Sequence, residues 1–340
     1  MAGDKFSVGV IGCGYWGPNY VRVLHDLSRV AQVWCCDARE ERTEKLRKRF
    51  PGIRTSKAWQ EMVRDPALDA VVVSTPASSH YGIIKESLLA GKDVLAEKPL
   101  TLDPGECLEL HELAERNGRI LMVAHTFLYN AGVRKMKEMM DSGEAGRIYY
   151  INATRTHLGL LRDDVNVVWD LAPHDISIFN YLLGTAPVRV DGIGACHLKA
   201  GREDVAFINL VYPGNVLANI HISWEDSNKE RTVRVVGSKA RIVFNDIDNL
   251  ERVKVFKKGI AVSEEYNNFG EFQLNLRDGD IVSPKCEMSE PLTVMCSHFL
   301  DCLATRGRPL TDGRSGYEVV KVVSEFLQAL RSSSARGVAG

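Results

Sequence analysis

The segment "KFSVGVIGCGYWGPNYVRVLHDL", Lys5 to Leu27, constrains the fold more than any other. An apolar run ends in glycine, glycines follow at G-x-G-x-x-G spacing (Gly12, Gly14, Gly17), and apolar residues then recur at helical intervals. Strand, tight turn and helix in that order open a βαβ unit. The alternation continues. "AQVWCCD", "LDAVVVSTP", "KDVLAEKP" and "RILMVAH" read as buried strands, with "REERTEKLRKRF", "SHYGIIKESLLAG" and "LDPGECLELHELAERNG" as the helices between them. Strands broken by helices of about a dozen residues predict an α/β domain on a parallel sheet.

Gly12 suits the tight turn, Gly14 lets a pyrophosphate approach the backbone, and Gly17 lets the helix pack closely on the strand. The first helical amides would face the phosphates. Three glycines alone fit an ordinary turn equally well; the strand before and the helix after select dinucleotide binding. Asp37 ends the second strand, about 20 residues past Gly17. A carboxylate there suits the ribose hydroxyls of NAD and repels the 2′-phosphate of NADP. Arg39 and Arg42, just beyond, would suit that phosphate, so NAD is the expected cofactor and NADP the alternative. In a doubly wound sheet, ligands bind beyond the carboxyl ends of the strands. Tyr15 and Trp16 in the turn, Ser74, Thr75 and Pro76 after the third strand, and Glu97 after the fourth are therefore candidate cofactor contacts. His80 is either a helix-start residue or a neighbour of the nicotinamide.

At 340 residues the chain is too long for one core and suits two domains. A net charge of −1 gives no general attraction to nucleic acid or to a membrane surface. No apolar run is long enough to span a bilayer, and "MAGDKFSVGV" holds no signal core. Eight cysteines are present and none form a C-x-x-C pair. Free thiols in a reducing cytoplasm are expected, in preference to disulfides or metal ligands. His197, His221 and His298 have no partners at metal spacing, so no metal site is expected.

Two further stretches carry chemistry. "AEKPL" places Glu97 and Lys98 at the end of an apolar strand, where the plain alternative for a lysine is a solvated charge. In "WDLAPHD", Asp170 and His174 lie four residues apart, a spacing that puts both on one face of a helix. Leu171, Ile178, Phe179 and Leu182 would supply its buried side, and Trp169 reads as core. Pro173 requires that helix to start near it or to kink there. Alone, the stretch is either an acid/base pair or a helix start capped by Asp170.

"VGVIGCGYWG", "STPASSHYGIIKESLLAGKDVLAEKPL" and "WDLAPHDISIFNYLLG" together resemble the glucose–fructose oxidoreductase, inositol dehydrogenase and MocA (Gfo/Idh/MocA) family. "HTFLYN", "SGEAGRIYYINATRTHLG" and "DVNVVWDLAPHD" are similar, more narrowly, to its nucleotide-sugar branch, the UDP-N-acetylglucosaminuronate 3-dehydrogenases. The likeness is dense from residue 6 to about 185 and returns in "TDGRSGYEVVKVVSEFLQALRSS". The family's commoner histidine stretch is glycine-rich; "NVVWDLAPHD" is not, which supports the branch.

The resemblance implies a Rossmann domain over residues 1–126 and an α+β domain over 127–340. The second would carry a large, mainly antiparallel open sheet, with substrate on one side and a homodimer or homotetramer built on the other through residues 190–300. A C-terminal helix, about 313–332, would pack back on the first domain. "GRIYYINATRTH", "VRVDGIGACHL", "VAFINLVYP", "VLANIHISW", "RTVRVVGSKARIVFN" and "RVKVFKKG" supply suitable strand runs.

The resemblance also implies a catalytic trio of Lys98, Asp170 and His174. His174 would exchange the proton of a secondary hydroxyl, Asp170 would orient the imidazole, and Lys98 would hold the reacting oxygen. Arg155 and Asn166 either reach a uronate or diphosphate, joining Lys98 and His174 as substrate contacts, or serve structure. The expected partner is a small sugar or nucleotide sugar. An inositol or free-sugar dehydrogenase is the alternative within the class. A dinucleotide-binding sensor is the alternative outside it, and would have no need of the trio.

Overall fold

Buried parallel strands explain the continuous apolar runs of the first third of the chain. The computed structural model describes residues 5–159, 165–261, 275–287 and 289–336. The chain divides into two compact units, one holding the residues up to Tyr129 together with Ser289–Ser324, the other beginning at Asn130 and taking in the chain from Glu325.

In the first unit, strands β1 (Phe6–Ile11), β2 (Val30–Cys36), β3 (Arg54–Ser56), β4 (Ala70–Val73), β5 (Asp93–Ala96) and β6 (Leu121–Val123) alternate with helices. These are α1 (Gly17–Asp26), α2 (Glu40–Arg49), α3 (Trp59–Arg64), α4 (His80–Leu89) and α5 (Pro104–Arg116). The sheet order is β3-β2-β1-β4-β5-β6, parallel throughout. β1 and β4 are neighbours although α1 to α3 separate them in sequence, so the order reverses there and opens a crevice beyond their carboxyl ends. Val8, Val10, every residue of β4 and Val94 to Ala96 are wholly buried, as expected of a sheet covered on both faces.

Two later stretches join this unit. Arg22 binds Glu290, Arg29 donates to Leu300 O at 3.0 Å, and Val123 N donates to Thr311 O at 2.6 Å. The helix Pro291–Thr305 and the beginning of the helix Gly313–Arg336 thus belong with residues 5–129, a return that a contiguous boundary at 126/127 does not contain.

The second unit carries α6 (Ala131–Asp141), β7 (Ile148–Thr156), α7 (Val167–Leu183), β8 (Arg189–Ala195), β9 (Val205–Tyr212), β10 (Val216–Ser223), β11 (Glu230–Gly237), β12 (Arg241–Asn245) and β13 (Val253–Phe256). Strands β14 (Gly259–Ala261) and β15 (Asn275–Arg277) pair with each other, and β16 (Ile281–Val282) pairs with β13. The eight-stranded order is β16-β13-β12-β11-β7-β10-β9-β8. All its pairs are antiparallel except β7 with β10.

Alternation sets the two faces of that sheet. Ala206, Ile208, Leu210, Ala218, Ile220 and Ile222 point inward and are buried. Gly192 and Gly194 lie against Phe326 and Leu330, so the later part of the C-terminal helix covers this face at β8. Ile193, Phe207 and Leu217 point outward and are exposed. An open depression of ≈ 950 Å³ lies on that outer face, lined by Tyr150, Asn152, Asp191, Asn209, Leu217 and Asn219 among others. All eight cysteines are free thiols. No described helix is long and apolar enough to cross a membrane.

Candidate active site

The glycine turn leaves β1 and enters α1. Gly12 adopts φ +93°, and a Cβ there would lie 2.8 Å from the Ser74 backbone, so only glycine fits. A Cβ on Gly17 would fall 2.1 Å from Gly12 O, which explains the close strand–helix approach. A Cβ on Gly14 would meet nothing nearer than an Arg42 nitrogen at 3.9 Å. That is the open space a diphosphate needs. No side chain caps the first turn of α1 and no acid sits in it, so its amides and the positive end of its dipole favour an anion. Tyr15 and Trp16 are exposed, packed edge to face at 5.6 Å.

Asp37 lies just past β2, buried beside this turn. Its Oδ2 accepts from Cys13 N at 2.7 Å and from Arg42 Nη1 at 3.2 Å, and its Oδ1 accepts from Arg39 N at 2.8 Å. Burial works against the carboxylate, but the Arg39 and Cys13 amides and the Arg42 guanidinium outweigh it and hold its pKa below the usual value. A fixed anion therefore stands just beyond β2, beside the glycine turn. Arg42 is tied to it, and the Arg39 side chain is exposed. These residues fit a dinucleotide: room at Gly14, uncapped amides, and an ionised carboxylate beyond the second strand.

Beyond β4, Ser74 Oγ donates to Gly12 O at 2.7 Å and so locks the two loops together. Thr75 is half-buried and Pro76 exposed at the crevice. His80 is the first residue of α4 and is buried. Its Nδ1 lies 2.9 Å from Pro99 O and its Nε2 2.9 Å from Thr75 O. Burial pulls its pKa down against the pull of those carbonyls. The neutral ring has one N–H to donate to either carbonyl, so His80, packed between the Thr75 and Pro99 loops, is placed as a brace.

Beyond β5, Glu97 is buried, accepting from Tyr20 Oη at 2.7 Å and from Lys98 N at 3.1 Å. Those bonds make Glu97 a brace for the lysine's backbone. Lys98 is half-buried and precedes a cis proline. One residue near it escaped the sequence reading. His125, just past β6, is only 2% exposed, and neither ring nitrogen has a hydrogen-bond partner among the described residues. Burial, reinforced by the charge of Lys98, pushes its pKa down to about 4. Its place beyond the carboxyl end of a strand was the available signal.

In the second unit the histidine stretch lies on α7. Asn166 caps the helix, its Oδ1 accepting from Trp169 N at 3.0 Å while its Nδ2 donates to Glu203 at 2.5 Å. Asp170 is therefore a first-turn residue and not the cap. The helix neither starts nor breaks at Pro173 but runs through it, at the cost of one backbone donor. Between residues 167 and 179 only Trp169, Asp170 and His174 escape burial. Leu171, Ile178, Phe179 and Leu182 are buried as expected. Asp170 Oδ2 accepts from Trp224 Nε1 at 3.2 Å.

Arg155, left open between an anion contact and structure, is buried. Its Nε and Nη2 donate to the two oxygens of Asp175, both at 2.8 Å. The fork ties β7 to α7 next to His174. Asn166 is likewise occupied at both ends of its amide. Arg155 is buried and Asn166 half-buried, and the bonds given above for both are to the protein itself. His157 is half-buried, and burial, then the charges of Arg231, Lys229 and Arg155 against that of Asp170, set its pKa low.

Comparison with known proteins agrees with this anatomy. Residues 6–125 match a family model described as oxidoreductase family, NAD-binding Rossmann fold, and residues 133–243 match the GFO/IDH/MocA C-terminal domain. Inositol 2-dehydrogenase 2 of Saccharopolyspora erythraea is 29% identical over 223 residues, which cover 64% of this chain and 66% of that enzyme, just under two thirds of its length. D-apiose dehydrogenase of Paraburkholderia graminis is 23% identical over 339 residues, covering 94% and 86%. The solved UDP-N-acetylglucosamine 3-dehydrogenase of Acidithiobacillus ferrooxidans has TM-score 0.81 at 21% identity, covering 96% of this chain and 98% of that one. That last likeness is one of fold.

Proposed function

This chain belongs to the Gfo/Idh/MocA family of NAD-binding oxidoreductases, and on that premise we propose that it oxidises or forms a secondary hydroxyl of a nucleotide sugar. The observation that carries the reading is α7, a helix buried around most of its circumference that keeps Asp170 and His174 accessible on one face. His174 takes the hydroxyl proton on oxidation and returns it on reduction. Asp170, held by Trp224, orients the ring and favours its charged form. Lys98 is assigned to the same reacting oxygen, where its charge stabilises a developing alkoxide. Gly12, Gly14 and Gly17, the first amides of α1 and Asp37 hold NAD in preference to NADP. When bound, the nicotinamide supplies the hydride chemistry.

The nucleotide-sugar assignment draws support from the stretch "NVVWDLAPHD" and from the fold shared with a UDP-N-acetylglucosamine 3-dehydrogenase. Eight free thiols agree with a cytoplasmic enzyme. The test is steady-state turnover with NAD on UDP-N-acetylglucosamine, its uronate, myo-inositol and free aldoses. The expected outcome is kcat/KM for a nucleotide sugar at least about a hundredfold above the others, the scale of discrimination a dedicated pocket reaches. A preference for inositol would replace the substrate class. NAD binding without turnover on any of them would make the chain a sensor.

A further inference from the structure

The connection between β8 and β9, which supplies His197 and Asp204, meets Glu225 just past the end of β10. His197 Nδ1 lies 3.1 Å from Glu225 Oε2 and 3.4 Å from Asp204 Oδ1, and the three atoms all lie within 4.8 Å of one another. No metal-ligand spacing announces this group: His197 and Asp204 share the β8–β9 connection, but Glu225 reaches them from beyond the end of β10.

Asp204 is the informative member. Its side chain is 2% exposed. Its Oδ2 accepts from His197 N at 2.7 Å and Leu198 N at 2.6 Å, which clamps the carboxylate in one orientation. Its Oδ1 is buried, has no hydrogen-bond partner among the described residues, and lies 3.4 Å from His197 Nδ1. A buried acceptor left unpaired is costly and uncommon. A proton does not resolve the cluster. Nδ1 carries at most one hydrogen, and the shorter contact takes it to Glu225, leaving Asp204 Oδ1 without a donor.

A cation among the three atoms satisfies all of them. Two carboxylates and a neutral imidazole carry two negative charges, the complement of a divalent ion. Nitrogen and oxygen ligands at about 2.0–2.1 Å around a tetrahedral zinc stand about 3.3 Å from one another. The two measured separations bracket that value. Imidazole selects transition ions over calcium or magnesium. His197 and Glu225, 60% and 26% exposed, leave a route in for the ion and room for a water as fourth ligand. The geometry points to a structural site for a zinc-like divalent cation on His197, Asp204 and Glu225.

The site stands one residue from Glu203 and from Trp224, which between them make three bonds to α7 and its cap. Glu203, next to Asp204, accepts from Asn166 Nδ2 and, through its carbonyl, from Val167 N at 3.0 Å. Trp224, next to Glu225, donates from its backbone to Asp204 O at 2.9 Å and from its indole to Asp170. An ion joining Asp204 to Glu225 fixes these contacts. It acts through position and takes no part in proton or hydride transfer.

The test uses the full chain, stripped with chelator and titrated with zinc chloride by calorimetry, with metal content measured after gel filtration. One zinc per chain is expected, together with a rise in melting temperature that grows with free zinc. His197→Ala and Glu225→Gln, both at accessible positions, should each weaken binding by more than about a hundredfold, the upper end of what even an outer-shell loss costs. Asp204→Asn is a poorer test because its Oδ2 organises the loop. Zinc bound equally well by His197→Ala overturns the site. So does zinc that is lost only on Cys196→Ser, which would place it on the exposed neighbouring thiol. Absence of binding at micromolar zinc also overturns it. All three readouts are independent of turnover, so the substrate reading can fail while the site stands, and the reverse.

Discussion

Arg155 and Asp175 meet as a buried fork, Nε to Oδ2 and Nη2 to Oδ1, each at 2.8 Å. Asp175 follows His174 directly, so the pair pins α7 to the sheet beside its accessible face. Removing one partner leaves the other charge buried and uncompensated, at about 3–5 kcal/mol. Asp175→Asn should therefore lower stability by that order in urea melts, and Arg155→Lys should not rescue it, because lysine cannot form the fork. KM for anionic substrates should change little in the folded fraction. An Asp175→Asn protein of unchanged stability, with altered KM, would return Arg155 to the substrate.

His125 gives a pH signature. Its pKa is pushed down to about 4 from the ordinary 6.5 by burial and then by Lys98. As pH falls, the unfolded chain binds the proton first. This contribution to stability is complete above about pH 6.5 and is lost progressively as pH falls toward 4. At pH 5 the loss amounts to about 2 kcal/mol. His125→Leu removes both unpartnered nitrogens, so its melts should be less sensitive between pH 7.5 and 5 by about that amount. Parallel curves for the two proteins would show that the ring is hydrated or protonated in the fold.

Asp37 is proposed to govern cofactor choice. Alanine there removes the carboxylate that would bind the ribose hydroxyls and releases Arg42 toward a 2′-phosphate. Hydrogen bonds to a charged group contribute about 1.5–3 kcal/mol, so NAD affinity should fall by roughly tenfold to a hundredfold while NADP affinity holds or rises. Calorimetric titration of both cofactors reads this directly. A clear NADP preference in the unmodified protein would defeat the assignment.

What the sequence revealed and what it hid follow from range. The parallel sheet, the glycine turn and the six strand runs of the second unit were legible because apolar periodicity is local. β3, three residues of "RTS" at a sheet edge, buries too little to leave a pattern. The return of residues 289–324 to the first unit leaves no periodicity in the sequence, and only the helix from about 313 was expected there, through the family resemblance. At the site, Gly12, Asp37 and the accessible face of α7 stood where motif and spacing put them. Asn166 as cap was readable from an asparagine before "VVW", whereas the alternative to an acid/base pair put the cap at Asp170. His80, Glu97 and Arg155 turned inward because partners distant in sequence claim their polar atoms. The same reason hid His197, Asp204 and Glu225.

The outer face of the eight-stranded sheet should carry the assembly. Tyr150, Ile193, Phe207 and Leu217 are exposed on it, and Phe207 stacks on His221 at 4.4 Å. An apolar face of this kind is covered in solution by a second copy more often than by water. Light scattering at micromolar concentration should give a dimer or tetramer, and Phe207→Asp combined with Leu217→Asp should lower the mass. A monomeric unmodified protein refutes this.

The trio is tested by how its losses combine. His174→Asn should leave NAD binding nearly intact, because the glycine turn and Asp37 belong to the other unit. Turnover should fall by roughly two to four orders of magnitude, the usual range for a general acid or base. Lys98→Met should also cripple turnover, since the alkoxide loses its charged donor. Asp170→Asn should do less harm, because it keeps the shape and a partner for Trp224 while removing an orienting charge. Double variants should fall well short of additivity if the three act as one unit. A purely structural role for α7 predicts another pattern: lowered melting temperatures in all three variants with turnover per folded molecule little changed. Thermal melts with active-site titration separate the two outcomes, and full activity in folded His174→Asn would sink the mechanism.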